Sequence, residues 1–317
     1  MTTSKLNPAY LIGAAVGALA AAAIINAKLA RKAERANPPM GRFIEVDGVR
    51  LHVLERGRGQ PIVMLHGNGA MVQEFLSSGL VDMAAQANTV ILFDRPGFGH
   101  SSRPRDQVWT PASQADLIHA ALEQMGITKA IFVGHSWGAS VAIQMALRHP
   151  EMVKSLVLAS GYFYPTFNPT FIGLSMPAVP VIGDLVRYTL APMLSRAAWP
   201  LVLRKIFGPS RVPEKFHAFP KEMALRPSQL RAAAAETAML APYAAWARAS
   251  YGDIAVPVTI IAGDGDRVVS FGQSVRLHRD IAGSTLHRLR GAGHMIHQTH
   301  TAAVMGAIRQ AALVSAS

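Results

Sequence analysis

A single serine stands between two glycines in the stretch Gly134-His135-Ser136-Trp137-Gly138. The apolar run 130–133 precedes it, and good helix formers follow from 139 to 148. This order predicts a strand, a sharp turn and a helix, with the serine hydroxyl raised above the carboxyl end of the strand. Glycine is needed two positions away on each side, because a strained turn leaves no room for larger side chains. The first amides of the new helix would face the same point, so the sequence predicts a serine nucleophile beside oxyanion donors.

Two later loops carry groups that could activate this serine. Asp264 and Asp266 follow one predicted strand, and His294 follows the last predicted strand. A serine hydroxyl needs a base to take its proton, and an imidazole base needs a carboxylate that fixes its tautomer. In a parallel sheet the carboxyl ends of the strands share one edge. The residues therefore predict Ser136 as nucleophile, His294 as base and either Asp264 or Asp266 as the acid.

Apolar segments of strand length recur along most of the chain. The predicted strands are, in order, 42–46, 49–54, 61–65, 89–93, 130–133, 153–159, 258–262 and 285–289. Asp47-Gly48 is a turn signal that makes the first two a hairpin. Helices are predicted between the later strands, at 72–87, 113–125 and 272–281, and from 300 onward. This alternation predicts an α/β fold with a mainly parallel central sheet flanked by helices.

The alternation stops between residues 161 and 250. This segment is rich in proline, aromatic residues and methionine, and its helical runs at 184–194 and 227–249 are not separated by any clear strand. A helical insertion over the carboxyl edge of the sheet would shape a pocket and exclude water. We therefore expect a core formed by residues 37–160 and 251–317 and a helical cap formed by residues 161–250.

The chain resembles the α/β-hydrolase superfamily from about residue 42 to residue 309. The motifs that carry the resemblance are His66-Gly67-Asn68-Gly69, Asp94-Arg95-Pro96-Gly97-Phe98-Gly99-His100-Ser101, Gly134-His135-Ser136-Trp137-Gly138, Gly263-Asp264-Gly265-Asp266 and Gly291-Ala292-Gly293-His294. The resemblance implies a Ser-His-Asp triad. The family's acid usually stands three positions after the glycine that ends its strand, which selects Asp266 and leaves Asp264 as a loop residue. It also implies that the backbone N–H groups of Asn68 and Trp137 form the oxyanion hole.

The resemblance further implies structural roles for His66 and His135. His297 and His300 are expected on the surface of the C-terminal helix. No cofactor and no metal ion are expected. Asp94, which follows the predicted strand 89–93, is expected to hold its loop in place rather than to react.

The expected activity is hydrolysis of a carboxylic ester, a small-molecule substrate, through an acyl-enzyme. The apolar insertion indicates an apolar acyl or alcohol portion, although the same residues could equally pack the cap against the core. A haloperoxidase-like, thioesterase or amidase activity could use the same triad. A non-catalytic member of the fold that binds a ligand is the alternative from another class.

The N-terminal 36 residues form a separate unit in the sequence. Residues 9–27 are almost continuously apolar, which is long enough to cross a hydrocarbon core of about 30 Å. Four basic residues follow, Lys28, Arg31, Lys32 and Arg35, whereas Lys5 alone precedes the run. We expect a single-span anchor with the catalytic domain on the cytoplasmic side. A cleaved signal peptide and an alanine-rich helix packed on the domain are the alternatives.

The composition of the chain limits which classes of partner it can bind. The 317 residues carry a formal net charge of +12 and include no cysteine, which excludes disulfides and thiolate metal sites. Basic and acidic residues are scattered along the sequence, and no nucleic-acid-binding motif accompanies them. The positive excess is therefore interpreted as general attraction to anionic surfaces, membranes included, with no nucleic acid partner.

Overall fold

Eight strands form one sheet in the computed structural model, which describes residues 7–166 and 168–314. The strands are β1 Arg42–Val46, β2 Val49–Arg56, β3 Gln60–Leu65, β4 Asn88–Phe93, β5 Ala130–His135, β6 Val153–Ala159, β7 Val258–Gly263 and β8 Thr285–Leu289. Their order across the sheet is β1-β2-β4-β3-β5-β6-β7-β8. β2 runs antiparallel to both of its neighbours, and β3 to β8 are all parallel. The predicted α/β fold with a mainly parallel sheet is confirmed.

Helices cover both faces of this sheet. They are α1 Pro8–Ala36, α2 Gln73–Leu76, α3 Leu80–Ala85, α4 Pro111–Gln124, α5 Trp137–Arg148, α6 Thr170–Ser175, α7 Ile182–Tyr188, α8 Leu190–Phe207, α9 Lys221–Ala224, α10 Pro227–Ala247, α11 Phe271–Asp280, α12 Ile296–Thr299 and α13 Thr301–Val314. α4, α5 and α11 pack on one face, and α2, α3 and α13 pack on the other. In β3, Val63 and Leu65 enter the first layer while Ile62 and Met64 enter the second. The central strands are uniformly apolar because both of their faces are buried.

The helix predicted over 72–87 is two short helices. Gly79 separates α2 from α3 with a left-handed φ of 77°. Glycine adopts that conformation at little cost, so the chain turns there instead of continuing as a helix. The sequence pattern predicted helix in this segment but not this break.

Between β6 and β7 the described residues form helices and turns and no strand. α10 is the longest helix of this insertion, and it contacts α6, α7, α8 and α9. Large apolar side chains on α6, α7 and α8 remain exposed, among them Ile172, Leu185 and Leu201. The insertion therefore carries an apolar outer surface as well as an inner one.

α1 is one helix of 29 residues, which corresponds to about 43 Å at 1.5 Å per residue. Only 6% of its most apolar window is buried, and its length and hydropathy suit a membrane span. Its second half contacts the insertion: Asn26 donates to the carbonyls of Tyr188 and Thr189 (3.0 and 2.8 Å), and Glu34 pairs with Arg226 (2.7 Å). The helix thus continues nine residues beyond the apolar run that predicted it. Lys5, used for the predicted orientation, lies outside the described residues.

Candidate active site

The turn at Ser136 has the geometry that its sequence requires. β5 ends at His135, α5 begins at Trp137, and Ser136 between them has φ 52° and ψ −117°. A Cβ atom on Gly138 would lie 2.1 Å from the carbonyl oxygen of Leu65, and one on Gly134 would lie 2.4 Å from the Gly138 carbonyl. Both contacts are with backbone that cannot move aside, so only glycine fits at these two positions.

Asp266 and His294 are joined directly. His294 Nδ1 lies 2.7 Å from Asp266 Oδ2, and both side chains are almost completely buried. Asp266 Oδ1 accepts hydrogen bonds from the N–H groups of Val268 and Val269 (2.7 and 2.9 Å). A carboxylate fixed in this way places the imidazole proton on Nδ1 and leaves Nε2 as the basic nitrogen.

Asp264 has different partners. Its carboxylate accepts from the N–H of Gly291 (2.6 Å) and pairs with Arg288 (2.7 Å). The Gly291 hydrogen bond and the Arg288 charge lower the pKa of Asp264 below its ordinary value. Of the two candidate acids, Asp266 contacts the histidine, and Asp264 ties the β7 and β8 loops together.

The turn at Ser136 lies next to the His294 loop, since the rings of His135 and His294 are 4.9 Å apart, but Ser136 and His294 are not hydrogen bonded to each other. No such bond to Ser136 Oγ occurs within the described residues, where the serine is half-buried. His135 Nε2 lies 3.2 Å from the His294 carbonyl, which couples the turn at Ser136 to the histidine loop. Hydrogen bonds between nucleophile and base often become short only when substrate is bound.

The loop after β3 lies against the nucleophile. A Cβ on Gly67 would be 3.1 Å from His135 Nδ1 and 3.2 Å from the Cβ of Ser136, so glycine at residue 67 lets the backbone of this loop lie close to the serine without displacing either side chain. The next residue, Asn68, donates from Nδ2 to Ala233 O and Thr237 Oγ1 on α10 (3.1 and 3.0 Å). The predicted oxyanion loop is therefore held between the sheet and the insertion.

Arg95 holds the loop after β3 in place through its backbone carbonyls. Its guanidinium is fully buried and donates to the carbonyls of His66 and Gly67, each at 2.9 Å. It forms a bidentate pair with Glu236 of α10. Asp94, beside it, binds His52 and accepts from the N–H groups of Val72 and His100. Both members of this loop pair thus hold backbone segments in place.

Glu74, which sequence reasoning missed, connects the three loops of the site. Its Oε2 accepts from the Gly67 N–H (3.0 Å), and its Oε1 forms an ion pair with His135 and lies 3.2 Å from His297 Nε2. Burial alone would raise the pKa of Glu74, but the neighbouring His135 charge outweighs it and lowers that pKa. The pKa of His135 is raised, because Glu74 outweighs the burial that would lower it. Nothing in the sequence distinguished Glu74 from Asp82, the other acid of the predicted helix over 72–87.

The prediction that His297 lies on the surface is wrong. His297 is fully buried in α12, where its ring packs at 5.2 Å from Phe75 and 4.4 Å from His135. α12 is separate from the C-terminal helix and turns inward toward Glu74. Burial, reinforced by the positive charge of His135, lowers the pKa of His297 to about 3. His300, in the turn before α13, is half-buried.

The buried polar atoms that have no hydrogen-bond partner in the described part of the chain include Asn68 Oδ1, Trp137 Nε1 and the hydroxyl of Tyr243, whose ring lies 6.1 Å from that of Trp137. Buried polar atoms are costly to leave unpaired.

Two groups of described residues could offer three ligand atoms within 4.8 Å of one another. They are Glu74, His135 and His297 in the interior, and His119, His149 and Glu151 nearer the surface. In the first group Glu74 is already neutralised by His135 and bound to Gly67. Ser136, Asp266 and His294 belong to neither group.

A family model for the alpha/beta hydrolase fold matches residues 60–301. That is more than half of the chain. The chain belongs to the α/β-hydrolase family. This α/β-hydrolase is 34% identical over 147 residues to the 2-hydroxymuconate semialdehyde hydrolase of Pseudomonas sp. (strain CF600), a match that covers 43% of this chain and 52% of that one. The chain thus spans about half the length of such curated relatives.

Solved structures agree in fold. The enol-lactonase from Burkholderia xenovorans LB400 superposes with a TM-score of 0.70 at 19% identity, over 86% of this chain and 100% of that one. A bacterial membrane phospholipase A superposes with a TM-score of 0.66 at 22% identity, over 95% of this chain and 97% of that one. At such identities the likeness concerns the fold alone.

Proposed function

We propose that this α/β-hydrolase is a membrane-anchored serine hydrolase that cleaves a carboxylic ester with an apolar acyl or alcohol portion. The observation that carries the proposal is the 2.7 Å contact between Asp266 and His294, on loops that converge on the strained turn of Ser136. Such a set of groups is suited to acyl transfer to water.

In the proposed mechanism, Ser136 Oγ attacks the ester carbonyl and His294 Nε2 takes its proton. Asp266 keeps the imidazole in the reactive tautomer and stabilises its cation. The backbone N–H groups of Asn68 and Trp137 bind the oxyanion of the tetrahedral intermediate. His294 then protonates the leaving alcohol, and water releases the acyl group from Ser136 with the same groups in reversed roles.

The substrate class rests on the surfaces that flank this site. The insertion carries exposed apolar residues, and α1 leaves its apolar face uncovered beside it. We assign residues 37–160 and 251–317 to the catalytic core and 161–250 to the cap. We place the core on the cytoplasmic side of the membrane.

Labelling with a fluorophosphonate probe tests the nucleophile. The full chain in neutral detergent should be labelled, and Ser136→Ala should lose all labelling. Ser140→Ala is the matched control, because Ser140 is buried on the same helix and its hydroxyl donates to the Tyr162 carbonyl. Folded wild type without label, or label retained in Ser136→Ala, would contradict the proposal.

Esters of graded chain length test the substrate class. For p-nitrophenyl esters, kcat/KM should rise from acetyl to octanoyl acyl groups and should vanish in Ser136→Ala. A fall with chain length in the labelled enzyme would contradict the apolar substrate while leaving the nucleophile in place.

A second candidate is hydrolysis of a 2-hydroxy-dienoic acid by the same three residues. The 34% identity to a 2-hydroxymuconate semialdehyde hydrolase favours it. Cleavage of the carbon–carbon bond would shorten the conjugated system of that compound, so its turnover can be followed by the change in absorbance. Turnover of it at a kcat/KM above that of the best ester would establish this second activity over the first.

A further inference from the structure

A cavity of about 810 Å³ lies between the C-terminal end of α1, the loop after β4, α7 and α10. Eight of its eighteen lining residues are arginine, and Glu34 is its one acidic residue. We call it the arginine pocket. Ser136, Asp266 and His294 do not line it, so it is separate from the candidate active site.

The positive charge of the arginine pocket is not balanced by protein carboxylates. Glu34 pairs with Arg226 (2.7 Å), and Asp184 pairs with Arg187 and Arg105 (2.5 and 3.3 Å). Five lining arginines have no ion-pair partner in residues 7–166 and 168–314: Arg31, Arg35, Arg50, Arg103 and Arg231. Two carboxylates therefore face eight guanidinium groups.

Two of the arginines are buried at a cost that an anion would remove. Arg187 is 3% exposed, and its Nε has no hydrogen-bond partner in the part of the chain that the structure describes. Burial lowers the pKa of Arg103 to about 10, and the charges of Arg95 and Arg231 add to this against the opposing charge of Glu236. The pKa of Arg231 is lowered by its burial and by Arg105 and Arg187. Like charges brought together out of water favour a bound counter-ion.

The depth of the pocket along α1 indicates where that anion comes from. Arg31 follows the end of the apolar run at Ala27 by four residues, or about 6 Å along the helix axis. The headgroup layer of a bilayer adds roughly 5–8 Å on each side of the hydrocarbon core. A helix that spans the core would therefore hold Arg31, which lines the pocket, at the depth of the lipid phosphates.

We propose that the arginine pocket binds the phosphate group of an anionic ligand, at the depth where phospholipid headgroups lie. The planar guanidinium fork matches phosphate oxygens in a bidentate manner, and several forks around one cavity can hold one phosphate from different sides. The same chemistry would accept free phosphate, and the test separates these two sources.

The test uses the full chain in micelles of a neutral detergent. The ligands are inorganic phosphate and two diether lipids, phosphatidylglycerol and phosphatidylcholine, which a serine esterase cannot hydrolyse. Binding is measured by calorimetry and by the rise in Tm. The variants are Arg231→Gln and the pair Arg31→Gln with Arg35→Gln. The matched control is Lys28→Gln with Lys32→Gln. These lysines lie on the same helix, and their substitution removes the same amount of charge, but they do not line the pocket.

Wild type should bind phosphatidylglycerol saturably with one site per chain. Both arginine variants should weaken this binding at least tenfold, and the lysine pair should change it less than twofold. Phosphatidylcholine, whose choline opposes the arginines, should bind at least tenfold more weakly. Competition by inorganic phosphate at millimolar concentration would identify free phosphate as a sufficient ligand, and its failure to compete would identify the lipid headgroup.

Three results would overturn the proposal. The first is the absence of saturable binding to wild type by any of the three ligands. The second is equal weakening by the lysine and arginine pairs, which would show general attraction to negative charge. The third is wild-type affinity in Arg231→Gln, a variant whose folding is checked by its unfolding transition without ligand.

Discussion

At the scale of single residues, Asp264 and Asp266 differ in what they touch. Both follow β7, but the first binds Arg288 and Gly291 and the second binds His294. Asp266→Asn should lower kcat by about 10⁴-fold, because an amide no longer holds the imidazole in the reactive tautomer. Steady-state kinetics on a p-nitrophenyl ester measure this loss.

Asp264→Asn is the control for that prediction. It removes a carboxylate from the same loop but leaves the Asp266–His294 contact, so kcat should stay within about threefold of wild type. Comparable losses in the two variants would show that the loop as a whole, rather than Asp266, supports the reaction.

Glu74 is the residue whose removal should cost the most stability in the site. Glu74→Gln leaves the His135 charge unpaired in a fully buried place, and breaking such a pair costs about 3–5 kcal/mol. Urea unfolding of the full chain in neutral detergent measures the change. Glu123→Gln, which alters a well-exposed carboxylate 3.5 Å from His119, should change stability by less than about 0.5 kcal/mol. Equal losses of stability in Glu74→Gln and Glu123→Gln would show that the buried pair of Glu74 and His135 does not stabilise the fold.

The catalytic candidates could be predicted from the sequence because each stands in a motif whose geometry admits few other residues. Gly134 and Gly138 are fixed by backbone contacts, and that requirement is visible in the letters themselves. Glu74 and His297 could not be found in this way. Their pairing with His135 depends on how α2 and α12 approach the turn, and no local pattern encodes that approach.

At the scale of elements, the approach of α5 to β3 sets the position of Ser136. Gly138→Ala would place a Cβ 2.1 Å from the Leu65 carbonyl, and either the helix or the strand must move. We expect a loss of about 3 kcal/mol or more together with loss of fluorophosphonate labelling. The unfolding midpoint and the label are measured on the same sample.

Gly306→Ala is the matched substitution. Gly306 lies exposed within α13, has no atom within 4 Å of the added Cβ, and should gain up to about 1 kcal/mol. Destabilisation of the same size in both variants would mean that the close contact at Gly138 is not the cause.

Boundaries of elements were less predictable than their existence. The pattern predicted one helix over 72–87, but the left-handed conformation of Gly79 ends one helix and starts another. A glycine in a helical pattern does not reveal whether the chain will turn there, because the answer depends on the packing of both halves.

At the scale of the whole molecule, buried histidines should make stability fall in mild acid. Burial lowers the pKa of His66 and of His297 to about 3, from 6.5. As pH falls below about 6.5, the unfolded chain takes up protons at these residues that the folded chain does not, so folding weakens. The raised pKa of His135 acts above about pH 6.5 instead, where the folded chain keeps a proton that the unfolded chain has lost, so its stabilising effect is complete below that pH. The lowered pKa of Glu74 adds to the acid sensitivity below about pH 4.5.

His297→Gln should reduce this acid sensitivity. Each histidine contributes up to about 1.4 kcal/mol per pH unit to the slope, so the variant should lose less stability than wild type between pH 6.5 and 5. Urea unfolding at several pH values measures the slope. His217→Gln, at an exposed histidine, should keep the wild-type slope, and a shallower slope there would contradict the assignment.

The arginine pocket shows what composition alone conceals. The basic residues are scattered along the sequence, and that scatter predicted only a general attraction to anionic surfaces. Folding brings arginines from α1, from the loop after β4 and from α10 around one cavity. The arginines gather because segments that are distant in the sequence meet at this cavity. Counting charges along the chain does not reveal such a cluster.

α1 is one continuous helix that carries both the apolar run and the contacts of Asn26 and Glu34 with the insertion, so no loop separates the run from the rest of the molecule. A flexible tether would let the enzyme tumble, whereas a rigid one gives every molecule the same orientation toward the bilayer. For an enzyme held in this way, encounters with an ester in the adjoining leaflet occur in two dimensions. Its rate should then follow the mole fraction of ester in the surface, and inert lipid should slow it even when the amount of ester per volume is unchanged.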